Sequence, residues 1–212
     1  LLIQYEAASF SKDIASAVQS LAHMLRANGY WEEVVPAYNS VLVAFNPAKV
    51  SLESAKRKLE NKIINGTDLP VKAGRLIELP VCYAARYGPD METIMKASGL
   101  SKKEVIALHS GEEYLVCMMG FIPGFTFLSD VPAPLQHPRH NTPRIKVAAG
   151  SVGIAGWQTG IYGLESPGGW QIIGRTPEVI FDKNRSKPFV IEAGDRVRFT
   201  PITAKAFEAY HA

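Results

Sequence analysis

The chain has 212 residues, enough for one large domain or two small ones with real cores. Hydrophobic residues make up 47%, charged residues 20%, and the formal net charge is only +3, the balance of an ordinary soluble globular protein. That charge is too small and too dispersed to imply nucleic acid as an obligatory partner, and no apolar run approaches the roughly 20 residues of a membrane span.

The start, LLIQYEAASF, lacks the basic flank and the length of a signal peptide, so the expected compartment is the cytoplasm. LLIQYE reads as a strand, and Ser9 or Ser11 can cap the helix after it. In that helix Ile14, Val18, Leu21, Ala22 and Leu25 share one face, with Gly29 placed as the stop. VVPAY and VLVAF are β-rich runs separated by Asn39-Ser40, which predicts a hairpin. Ser51 opens a second helix with Leu52, Ala55, Leu59 and Ile63 inward, ending near Gly66 in the turn Asn65-Gly66-Thr67. Its densest basic run, Lys56-Arg57-Lys58, reads as a solvated face. RLIELPVCY then supplies a last strand. The order β-α-β-β-α-β predicts a ferredoxin-like α/β sandwich over residues 1–82.

Residues 83–212 are expected to form a second domain, a β-barrel or sandwich, with a short helical segment at 89–110. Pro89-Asp90 starts one helix that stops near Gly99, and Ser101-x-x-Glu104 is a capping box for the next. This pair imitates a helix-turn-helix, but only Lys102 and Lys103 suit base reading, so a packed connector is expected. From Tyr114 on, YLVCMMGF, IKVAAGSVGIAG, WQIIGRT, EVIFD and DRVRFTPI are short strand-like runs. Eight of the 17 glycines fall between Gly150 and Gly174, which favours closely spaced turns over helices. Cys82 and Cys117 lie in apolar runs and read as buried free thiols, and no histidine has metal-ligand spacing.

The segment LESPGGWQIIGRT, Leu164 to Thr176, imitates two catalytic loops. As a phosphate loop it fails, because Gly169 stands where a lysine must reach the phosphates and a strand follows in place of a helix N-terminus. As a nucleophile elbow it fails because Gly163 and Ser166 are spaced by two residues, and Pro167 has no N–H for an oxyanion. A Pro-Gly-Gly turn remains. Gly168 or Gly169 would supply a positive φ there, or their N–H groups would form a concave nest for a carboxylate or phosphate.

GFIPGFTFL (120–128), TPRIKVAAGSVGIAGWQTGIYGLESPGGWQIIGRT (142–176) and GDRVRFTPI (194–202) closely resemble the KipI / PxpB family, also described as allophanate hydrolase subunit 1-like. VCYAARYGPDMETIMKASGLSKKEVIALHS upstream resembles it as well. The resemblance implies an α+β chain whose C-terminal barrel is cyclophilin-like. It further implies the B subunit of an ATP-dependent 5-oxoprolinase, inactive alone, with a KipA/PxpC-type partner and a LamB/YcsF (PxpA)-type partner. ATP would be a co-substrate of the complex, bound in part or wholly by a partner. Two rival functions come with the same family. One is inhibition of a sporulation sensor histidine kinase, and the other is the carboxyltransferase-like half of a urea- or allophanate-processing complex.

The residues that could carry such chemistry each have a structural alternative. His109, Ser166 and Arg175 are the catalytic candidates; His109 would otherwise cap a helix whose C-terminus favours imidazolium. Arg139 and Arg144 suit an anionic ligand, with loop-anchoring salt bridges as the alternative. Gln158, Thr159, Tyr162, Gly168 and Gly169 complete a substrate-binding set, with turn capping and packing as the alternatives for the side chains. Phe121, Phe125, Phe127 and Trp170 are either core or an aromatic partner interface. His137 and His140, in a proline-rich loop, are expected at the surface, and a cyclophilin-type prolyl isomerase block is missing from the sequence.

Overall fold

The computed structural model describes residues 1–6, 10–65 and 74–210. The chain divides into two compact units, residues 1–74 and 75–212. The first contains β1 (Leu2–Gln4), α1 (Lys12–Ala27), β2 (Glu33–Pro36), β3 (Ser40–Ala44) and α2 (Leu52–Asn65). Ser11 is the α1 cap, its hydroxyl accepting from Ile14 N–H at 3.3 Å; Ser9 and the expected stop at Gly66 lie outside the described residues. The strands form an antiparallel sheet in the order β1-β3-β2, with the predicted hairpin between β2 and β3. Val18, Leu21 and Leu25 of α1 pack with Ala55 and Leu59 of α2 and with Val34, Val41 and Val43 of the sheet, so both helices contribute to one core.

The second unit contains β4 (Leu76–Cys82), α3 (Met91–Ser98), α4 (Lys102–Ser110), β5 (Tyr114–Met119), β6 (Thr126–Asp130), β7 (Arg144–Val147), β8 (Ser151–Ala155), β9 (Gln158–Ile161), β10 (Ser166–Gly168), β11 (Gln171–Arg175), β12 (Arg196–Ile202) and α5 (Ala204–Ala209). Seven strands close a barrel in the order β11-β4-β12-β5-β6-β9-β8, and β7 and β10 form a separate two-stranded sheet. The chain is therefore α+β with a closed barrel.

One boundary moves. The strand expected to complete the N-terminal sandwich, Leu76–Cys82, is a barrel strand. It runs parallel to β12 along its whole length, from Leu76↔Arg196 to Cys82↔Ile202, and touches β11 at Cys82↔Arg175. Arg75 fixes its start by donating to Asp195 Oδ2 at 2.5 Å. Local sequence identifies a strand but not a partner some 120 residues away, and here burial of Leu79, Val81 and Cys82 in the barrel decides it.

The helical connector forms as expected. Gly99 ends α3 in the left-handed conformation at φ 71°, and the Ser101–Glu104 capping box opens α4. EVIFD forms no strand, having only an isolated bridge between Phe181 and Phe189. IKVAAGSVGIAG splits into β7 and β8, because Gly150 turns at φ 80° against the Thr176 carbonyl, which a Cβ would approach to 2.5 Å. Both cysteines are buried and free.

Candidate functional site

The turn from β5 to β6, Gly120 to Phe125, is unusually strained. Phe121 has φ 66°, the single positive φ among the described non-glycine residues, and the Ile122 N–H donates back to the Gly120 carbonyl at 2.8 Å. That closes a tight turn around a bulky residue in a conformation it rarely adopts. The side chain is 67% exposed in spite of being aromatic. Strain and exposure in one residue point to a site.

Phe121 stands at the rim of a cavity of about 320 Å³ walled by Phe125, Phe127, Tyr162 and Trp170. Pro143, Pro167, Gly168 and Gly169 complete the wall, and Arg139 is its charged member. The aromatic faces interlock: Phe125 meets Tyr162 edge-on at 4.8 Å and Trp170 at 5.4 Å, and Phe127 meets Trp170 at 5.9 Å. Gly160 makes room for that indole, since a Cβ there would come within 2.9 Å of it. The Arg139 guanidinium lies 5.6 Å from the Trp170 ring centre and has no ion pair among the described residues. Burial raises the Tyr162 phenol above its ordinary value, against smaller opposing pulls from the Trp170 backbone and the Arg139 and Arg144 charges. Its hydroxyl is therefore neutral at ordinary pH and available as a donor.

The glycines act differently from the expected turn. Ser166–Gly168 is a strand paired with β7, and neither Gly168 nor Gly169 has a positive φ. Neither position therefore supplies the αL residue expected of the nest. Gly168 is small for another reason: a Cβ there would meet the Tyr162 hydroxyl oxygen at 2.2 Å.

The loop over the cavity is fastened by Arg144, for which a loop-anchoring salt bridge was one of the two expected roles, together with partners that its own sequence context does not point to. Asp90, whose side chain is 7% exposed, accepts from Arg144 Nη2 at 2.5 Å and from the Ile172 N–H at 2.6 Å. His140 N–H donates to the Gly169 carbonyl at 2.7 Å, and Gln171 Nε2 donates to the Pro138 carbonyl at 3.0 Å. Arg144 is thus a loop anchor, neutralised by Asp90, and Arg139 remains as the cation facing the cavity. His140, expected at the surface, is half-buried, its side chain 29% exposed, with Nε2 buried 3.4 Å from Asp90 Oδ2. Asp90 sits at the N-cap of α3, yet its carboxylate makes no capping bond.

The three catalytic candidates do not line this cavity. His109 is fully buried and stacked on Phe199 at 4.6 Å. The Thr159 hydroxyl donates to the Gly153 carbonyl at 3.0 Å, so it accepts from His109 Nε2 at 3.0 Å. Nδ1 is then the acceptor for the Tyr83 hydroxyl at 2.9 Å. Burial pushes the imidazole down to about 3, so it is neutral, and the expectation of a capping imidazolium is reversed. Thr159 is committed to this internal chain; Gln158 is 9% exposed in β9. Ser166 Oγ donates to the Pro167 carbonyl at 3.1 Å, a contact that supplies no base. Arg175 borders a different cavity, of about 250 Å³. Of the aromatic interface candidates, Phe125 and Trp170 are buried at 1% and 4%, and Phe121 alone is exposed.

The second unit is thus a closed barrel carrying an aromatic cavity with one cation in its lining. Residues 1–191 match the model of the carboxyltransferase domain, subdomain C and D. The chain belongs to this family, and within it to the KipI / PxpB family that the sequence resembled. It is 38% identical over 219 residues to the B subunit of 5-oxoprolinase from Bacillus subtilis (strain 168), covering 95% of this chain and 90% of that one. The corresponding 5-oxoprolinase chain of Escherichia coli O157:H7, also a B subunit, is 42% identical over 170 residues, covering 80% and 77%. Among solved structures, TTHA0988 superposes with a TM-score of 0.83 at 35% identity over 96% of this chain, which spans 40% of that longer protein.

Proposed function

We propose that this chain is the B subunit of an ATP-dependent 5-oxoprolinase, which opens the ring amide of 5-oxo-L-proline to L-glutamate. One water enters the amide and a second accompanies conversion of ATP to ADP and phosphate. The observation that carries the reading is Arg139, a cation without an ion pair among the described residues, on an aromatic cavity sized for a small ring. The relatives' names support the same assignment. In this reading Arg139 takes the substrate carboxylate, the aromatic walls hold the flat lactam and exclude water, and the neutral Tyr162 hydroxyl donates to its amide oxygen.

The chain's residues do not fit a triphosphate at this place. Gly168 is packed against Tyr162, no lysine follows it, and β10 is a strand. ATP is therefore assigned to a partner. The KipA/PxpC-type subunit is read as covering the cavity mouth at Phe121, and a LamB/YcsF (PxpA)-type subunit as completing the cytoplasmic enzyme. The barrel is read as cyclophilin-like and the N-terminal unit as a shortened ferredoxin-like sandwich.

Reconstitution is the test. ATP-dependent release of glutamate should require this chain with both partners, and Arg139→Gln should raise KM at least tenfold. Undiminished turnover without this chain would overturn the reading. A second reading, an amide carboxyltransferase half, has support in the family description itself. Carboxylation of urea by a biotin-carrying partner, with no 5-oxoproline turnover, would favour it.

A further inference from the structure

Arg175 is the cation in the lining of the second cavity. Its Nε donates to the Ala149 carbonyl at 2.8 Å, which fixes the guanidinium plane, and the group lies 5.9 Å from the Phe207 ring centre. Its two η nitrogens make no hydrogen bond or ion pair among the described residues. Leu164, Pro177, Val179 and Phe181 give the cavity apolar walls. A preorganised planar fork with free donors above an apolar wall is the recognition element for a carboxylate on an apolar body.

Glu178 narrows the class. It lines the same cavity and is held in place, since the Tyr210 hydroxyl donates to its Oε1 and its N–H donates to Thr176 Oγ1 at 3.1 Å. This negative charge opposes a second carboxylate on the ligand. The volume of about 250 Å³, at roughly 30 Å³ per water, holds a body of about eight heavy atoms. We propose that the Arg175 cavity is a separate binding site for a small monocarboxylate with an apolar body. The site is independent of the aromatic cavity, although the two share a wall: Tyr162 belongs to one, the next residue Gly163 to the other, and Gly163 packs on the Gly124 backbone.

The probe is 3-methylbutanoate, titrated into the full chain by calorimetry and followed by amide chemical shifts. The expected result is saturable binding with Kd about 1–10 mM, the scale for so few atoms, with shifts at Gly150, Gly163 and Leu164. The neutral isostere 3-methylbutanamide should bind at least tenfold more weakly, and glutarate more weakly than the monocarboxylate. Arg175→Gln should lose at least tenfold in affinity, whereas Arg139→Gln should lose none, which separates this site from the proposed substrate cavity. Glu178→Gln should bind several-fold more tightly and decides the matter if Arg175→Gln fails to fold. Equal binding of acid and amide, unchanged affinity in a folded Arg175→Gln chain, or no gain in Glu178→Gln would overturn the proposal. So would the absence of saturation well above the millimolar range.

Discussion

Arg144 Nη2 and Asp90 Oδ1 lie 2.5 Å apart, joining the loop that carries Arg139 to the start of α3. The same carboxylate accepts from the Ile172 N–H, so one side chain ties loop, helix and barrel strand together. Arg144 also reaches the Trp170 carbonyl at 3.4 Å, directly beneath the aromatic cavity. The cavity's shape is therefore maintained from outside its lining.

Asp90→Ala should destabilise the second unit by about 2–3 kcal/mol, because it strands the Ile172 N–H and leaves Arg144 without its counter-charge. The figure is kept below that for a fully buried pair, as the Arg144 side chain is 32% exposed. Urea unfolding measures it. A loss below about 0.5 kcal/mol would mean that water replaces the carboxylate without cost.

His109 is one identifiable contributor to acid stability. Its folded value of about 3 lies below the ordinary 6.5, so the unfolded chain takes the proton first as pH falls. Its contribution is complete above about 6.5, declines through the window down to about 3, and levels off below, at up to about 1.4 kcal/mol per pH unit. Unfolding measured at several pH values should show this slope in the native chain and its loss in His109→Gln, the difference removing what other groups contribute.

Gly168→Ala should cost about 1–3 kcal/mol through overpacking, since the new methyl carbon would overlap the Tyr162 hydroxyl. Tyr162→Phe removes that oxygen, so the double variant should lose less than the sum of the two single ones. Additive losses in a double-mutant cycle would break the proposed link between the two residues.

Phe121→Gly separates strain from function. Glycine adopts φ 66° freely, so stability should stay within about 1 kcal/mol of the native chain. Turnover in the reconstituted complex should nevertheless fall at least tenfold, because the rim aromatic is gone. A variant with native turnover would show that Phe121 has no part in the site.

Local chemistry was enough for much of this molecule. The Ser11 cap, the Ser101–Glu104 capping box and the Gly99 stop are each set by residues within a turn of one another, and the helices begin and end there. The glycine-punctuated second half likewise announced a barrel or sandwich, and the family resemblance its residues carried implied the barrel. The loop around Ser166 loses its resemblance to two catalytic loops on chemistry alone, since neither a missing lysine nor a missing N–H depends on the fold.

Tertiary structure decided everything that rests on a distant partner. Leu76–Cys82 became a barrel strand because its partner β12 lies about 120 residues later in the chain. Burial turned His109 from a capping cation into a neutral core group. Arg144 and Arg139 are alike in sequence, yet Asp90 claims one and leaves the other facing the cavity. Periodicity and caps are short-range and survive in a string of letters. Register, burial and the pairing of charges are long-range, and they exist only once the chain has closed on itself.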